Sequence, residues 1–142
     1  DVAWNWGAGA GVLPDGRSIG LQVGGRWTDG TGATENAVIV GGVLHKISTP
    51  VRWSYDLAAP LRPWRVTGGG LDATFTPFYD KRSAMNLGIL SSRTDQCFGE
   101  WTGTFTWTDA DAADGDGPDA AGTHEVAFAG LIGFAEDVHN RW

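Results

Sequence analysis

One stretch, residues 96–107 (QCFGEWTGTFTW), limits what this chain can become more than any other. Taken two at a time, Cys97, Gly99, Trp101, Gly103, Phe105 and Trp107 share one side. Gln96, Glu100, Thr102, Thr104 and Thr106 share the other, with Phe98 as the one large apolar intruder. Period-two alternation in a run rich in aromatics and threonine is the pattern of a long antiparallel strand with one buried face. Residues 123–135 follow an acidic loop and are the expected hairpin partner.

Shorter runs of the same kind fill the chain before it. Residues 2–6, 17–27, 37–40, 43–48, 51–55, 64–67, 71–79 and 83–91 are apolar or alternating, and Gly, Pro and Asp punctuate them. Gly41-Gly42 supplies the two positive-φ positions of a tight hairpin, and Gly68 to Gly70 mark another reversal. Asp80, Lys81 and Arg82 read as a charged turn. The GAGAG at residues 7–11 resembles a dinucleotide fingerprint, but a turn at Pro14-Asp15-Gly16 follows where that motif requires a helix. A bulged, kinked strand is the reading there. Nine or ten strands and no amphipathic helix predict an all-β chain, an antiparallel meander closing into a barrel.

The 142 residues suit one domain, with residues 108–122 as an acidic loop insertion. The 8 Trp supply large buried area, or a wall for an apolar ligand. A formal charge of −7 disfavours nucleic acid and anionic membrane as partners, and no apolar run is long enough for a membrane span. A single cysteine excludes an internal disulfide. Cys97 lies on the apolar side of its strand as a buried, inert thiol, and a reducing cytoplasmic compartment fits this cysteine usage. The loop aspartates (109, 111, 114, 116 and 119) miss the calcium-loop pattern, and His45, His124 and His139 show no ligand spacing. With no serine elbow, phosphate loop or CxxC, neither metal nor cofactor is expected.

Six strings then carry a resemblance: WTDGTGATEN (27–36), LHKI (44–47), RPWRV (62–66), FTPFYDKR (75–82), NLGILSS (86–92) and QCFGEWTG (96–103). In this order and spacing they resemble the C-terminal part of a bacterial family, domain of unknown function 2804. The family is remotely similar to lipocalin-like proteins that include carotenoid hydratases and tocopherol cyclase. The resemblance implies a lipocalin-like, calycin-type barrel with an apolar cavity, as one lobe of a longer protein. A missing N-terminal portion, or a second copy, would then be a partner. It brings no established activity.

Candidate site residues follow from chemistry. An apolar small molecule, a lipid or isoprenoid, would sit against Trp27, Trp53, Trp64, Tyr79 and Trp101, with His45 lining the cavity. Asn36 and Arg65 would hold its polar end. Glu35, Asp29 and Asp80 are candidate acids: a carboxylic acid among apolar neighbours can protonate an alkene or epoxide. The bland alternative makes Asp29 and Asp80 turn caps and pairs the arginines with surface acids. Three classes stay open: a binding module, a cofactor-free hydratase, cyclase or isomerase, and a structural lobe. Strict alternation of hairpins places Asp29 and Asp80 at opposite ends of the barrel.

Overall fold

The computed structural model describes residues 1–26, 29–31, 34–109 and 122–141. Nine strands form it: β1 (Val2–Val12), β2 (Ser18–Gly25), β3 (Ala37–Val40), β4 (Val43–Lys46), β5 (Arg52–Ser54), β6 (Trp64–Gly68), β7 (Leu71–Asn86), β8 (Ser91–Thr108) and β9 (Thr123–Arg141). No helix occurs among the described residues, so none is long and apolar enough to cross a membrane.

All strands belong to one antiparallel sheet in the order β4-β3-β2-β1-β9-β8-β7-β6-β5. The chain is thus a meander whose first and last strands are neighbours at the middle: Asn5 faces Asp137, and Gly9 faces Gly133. The sheet curls into a half-barrel consistent with a lipocalin-like barrel. Eight successive antiparallel steps leave the two edges, β4 and β5, running the same way. The link between them therefore reverses nothing, whereas alternation along the sequence counts it as a turn. Ile47 and Val51 in this link are both buried in the core.

β8 realises the expected alternation. Cys97, Trp101 and Phe105 are buried on the inner face, and β9 pairs with β8 as its hairpin partner (Phe105 to Val126, Trp101 to Leu131). The inner core adds Leu21, Val23, Val38, Trp64, Val66, Ala73 and Phe75. Residues 7–11 are an unbroken part of β1, without the expected bulge. Its glycines face inward and form a shelf: an added Cβ would stand 2.8 Å from the Trp101 ring at Gly7 and 2.6 Å from it at Gly9. The indole rests there and its Nε1 donates to Ala8 O at 3.1 Å.

A second correction concerns Asp80, Lys81 and Arg82, which are not a turn. β7 runs through them to Asn86, and the reversal comes at residues 87–90. A bulge between Pro77 and Tyr79 leaves Phe78 without a partner in β8. One extra residue flips every later side chain to the other face. Tyr79 therefore points outward and stacks on Phe98, while Asp80 and Arg82 turn toward the inner face.

Candidate functional site

The registers place one row of side chains across the inner face at one end of the sheet: Arg82 opposite Asp95, Asp95 opposite Asp137, Asp137 opposite Asn5, and Asn5 opposite Gly25. Two carboxylates directly opposed, both without exposed surface, repel unless cations stand beside them. Three arginines do. Arg93 Nη2 lies 2.8 Å from Asp137 Oδ1, and Arg26 Nη2 lies 3.0 Å from Asp137 Oδ2. Arg82 Nε lies 3.3 Å from Asp95 Oδ1.

Tyr55, just beyond β5, reaches into the row. Its hydroxyl donates to Asp137 and accepts from Asn5 Nδ2 at 2.8 Å and Arg26 Nη2 at 2.6 Å. Burial, first, pushes the phenol up to about 12, with Asp137 adding to it, so Tyr55 stays a neutral donor. Arg26 is the non-glycine residue at positive φ (70°) among the described residues, a strained backbone that carries its guanidinium to the row.

Asp80 lies one pair further in, opposite Cys97. The Cys97 thiol sits 3.6 Å from both Asp80 Oδ1 and Pro60 O, and burial raises it to about 12, so it is no nucleophile. A cleft of about 400 Å³ opens here, lined by Ala59, Pro60, Leu61, Arg62 and Asp80. Asp95 is raised above the ordinary carboxylate range by its burial, which outweighs the opposing Arg82 charge; Asp80 and Asp137 push the same way as burial.

Behind the polar row the interior is aromatic. Tyr55 stacks on Trp64 at 4.2 Å, Trp53 stands edge-on to Trp64 and Trp101, and Phe75 lies 5.0 Å from Trp101. Trp53 Nε1 donates to Gly24 O, and the missing Cβ of Gly25 leaves room for its ring.

The candidates read from sequence separate. Trp53, Trp64 and Trp101 meet in this cluster, and Asp80 faces the polar end. Asn36 is buried but structural: its Oδ1 accepts from Gly24 N at 2.6 Å and pins the end of β2. Glu35 and Asp29 are exposed in the loop before β3. Arg65 points outward and grips Asp72 with a forked ion pair at 3.0 Å. Tyr79 lies on the outer face. His45 is at the opposite end, 4.4 Å from the Trp107 ring, beside the exposed His124–Asp109 pair. Trp27 and the loop aspartates at 111, 114, 116 and 119 lie outside the described residues. Among the described residues no group of three or more His, Cys, Asp or Glu could hold a metal.

Asn5, Arg26, Tyr55, Arg82, Arg93, Asp95 and Asp137 are not among the candidates read from sequence. A signal existed for two. Continuing the inner phase of β8 backward from Cys97 lands on Asp95, and continuing that of β9 forward from Ala135 lands on Asp137. A charge in phase with a buried face asks for an explanation.

The model of one protein family, described as Domain of unknown function (DUF2804), matches residues 1–142. No curated protein and no solved structure matches the chain.

Proposed function

The chain belongs to the DUF2804 family of domains of unknown function, and we propose that it binds an amphipathic small molecule, a lipid or isoprenoid, at the polar end of its half-barrel. The ligand's apolar part lies against the half-buried Trp53 and Tyr55, and its polar end meets Asp80 and the guanidinium groups of Arg26, Arg82 and Arg93. One observation carries this reading: the aromatic cluster passes through Tyr55, which stacks on Trp64 at one face and hydrogen-bonds Asp137 at its hydroxyl, into a buried ionisable network. Ligand sites combine an apolar lining with a few converging polar groups in this way. Glu35, Asp29, Arg65 and Tyr79 take surface roles in it.

Acid catalysis on such a ligand is the second reading, favoured by Asp95. A carboxyl group whose hold on its proton is strengthened by burial can donate to an alkene without a cofactor, as a hydratase, cyclase or isomerase requires. Native mass spectrometry of the chain purified from its host, with titration of tryptophan emission by farnesol, tests binding. A retained small molecule and a saturable emission change, weakened at least about fivefold by Trp53→Leu, are expected. An empty protein with unchanged emission overturns the proposal, and conversion of farnesol to a hydrated or isomerised product selects the catalytic reading.

A further inference from the structure

We propose that the tip of the β7–β8 hairpin docks on the surface of a phospholipid bilayer, its apolar turn entering the interface and Arg141 meeting lipid phosphate. β7 ends at Asn86 and β8 begins at Ser91, with Leu87, Gly88, Ile89 and Leu90 between them. Solvent-facing reversals favour Gly, Pro, Asn, Asp and Ser. Here Ile89 is 82% exposed, the highest value among the exposed large apolar residues, and Met85, Leu87 and Leu90 beside it are exposed as well. The fold does not require them. Reversal needs the positive φ of Gly88 (79°), and none of the four apolar side chains belongs to the core. A cluster of exposed apolar residues marks contact with another molecule or a membrane.

Backbone, depth and charge favour the bilayer. Leu87 N donates to Leu90 O at 2.7 Å, and Gly88 N donates to Asn86 Oδ1 at 3.1 Å. Entry into the interface therefore strands neither donor. From Met85 to the turn is about 10 Å of strand, close to the ~5–10 Å to which interfacial apolar faces sink.

On β7, β8 and β9 the charged residues nearest the tip are Arg141, which faces Ser91, and Arg93; Asp80, Asp95 and Asp137 lie farther back. Asp1, which precedes Val2 opposite Asn140, is the acid of the adjoining strand end. Arg141 makes no ion pair with another described residue. A guanidinium just behind an inserted turn stands at the level of lipid phosphates, whose oxygens it can bond in a fork. The chain's charge of −7 does not oppose this. Five acids (109, 111, 114, 116 and 119) follow the other end of β8, about 55 Å of strand from the tip, and a zwitterionic surface repels no net charge.

Co-sedimentation of the chain with phosphatidylcholine vesicles tests the proposal. The wild type should partition onto them, and Leu87→Ser combined with Ile89→Ser should lower the partition at least about tenfold. Arg141→Gln should lower it by a smaller factor. Because all three side chains are exposed, thermal melts of the variants should match the wild type. An environment-sensitive dye on Ile89→Cys should shift to the blue with vesicles, and the same dye on Thr123→Cys, at the far end of β9, should not. Cys97 is buried and stays unlabelled. No partition, or equal dye shifts at the two positions, overturns the proposal. Unchanged partition of Arg141→Gln overturns the phosphate contact. Self-association without vesicles, dispersed by the double variant, would make a second copy the occupant and overturn the bilayer. Farnesol binding is read separately, since none of these residues lines the ligand site proposed above.

Discussion

At the scale of single residues, Asp95 is the group whose burial and charge disagree most. Its carboxyl is raised above the ordinary aspartate value, first by desolvation, so the folded state binds a proton more readily than the unfolded chain. Stability from this group is fully present below the unfolded value and is lost as pH rises through the folded one. Glu136, raised chiefly by desolvation, acts in the same direction. The melting temperature should therefore rise as pH falls from neutral toward the carboxylate range. Asp95→Asn should melt higher than the wild type at pH 7 and show a flatter profile, Glu136 supplying what slope remains. An unchanged slope in the variant would remove Asp95 as its source. Tyr55 gives an independent reading of the same row. Ultraviolet titration should find a phenol ionising near 12, and Tyr55→Phe should abolish that step. Loss in Tyr55→Phe of a step at about 10 instead, the ordinary phenol value, would mean the Tyr55 hydroxyl is open to water.

At the scale of elements, glycine content reflects contact as much as turning. A Cβ at Gly133 would run into the carbonyl oxygen of Ala8 on the neighbouring strand, whereas at Gly20 the nearest atom is Gly9 O at 3.6 Å. Gly133→Ala should cost about 2–4 kcal/mol, since only a backbone shift at the β1–β9 junction relieves the clash. Gly20→Ala should stay within about 1 kcal/mol, and urea denaturation of the pair measures the contrast. Strand identity and the β8–β9 pairing were legible because period-two alternation survives in the residues themselves. The site was less so, for one local and one global reason. The Phe78 bulge reverses the phase of β7, so strict alternation aims Tyr79 inward and Asp80 and Arg82 outward, the opposite of their places. Arg65, mid-strand between buried Trp64 and Val66, has an outward phase that alternation does report, and its Asp72 partner lies on the adjoining strand.

At the scale of the whole molecule, the odd number of strands decides which loops meet. Because β4 and β5 run the same way, the end of β2, which carries Arg26, and the far half of β7, which carries Arg82, lie at one end of the sheet. Counting hairpins along the sequence separates those ends, and no local pattern in residues 47–51 reports otherwise. Such long-range pairing makes folding slow, in the millisecond-to-second range of β-rich domains. Stopped-flow refolding should show tryptophan emission recovering ahead of the capacity to bind farnesol. Coincident recovery of both would mean that the polar end forms with the core.

The row Arg82–Asp95–Asp137–Asn5 has a consequence for quality control. It draws on the first strand and on the last, through Asn5 and Asp137, with Tyr55 arriving from the distant edge. A nascent chain lacking β9 lacks Asp137, the hub to which Tyr55, Arg26 and Arg93 all attach. For the ligand proposed above, capture would therefore wait until β9 has been inserted between β1 and β8.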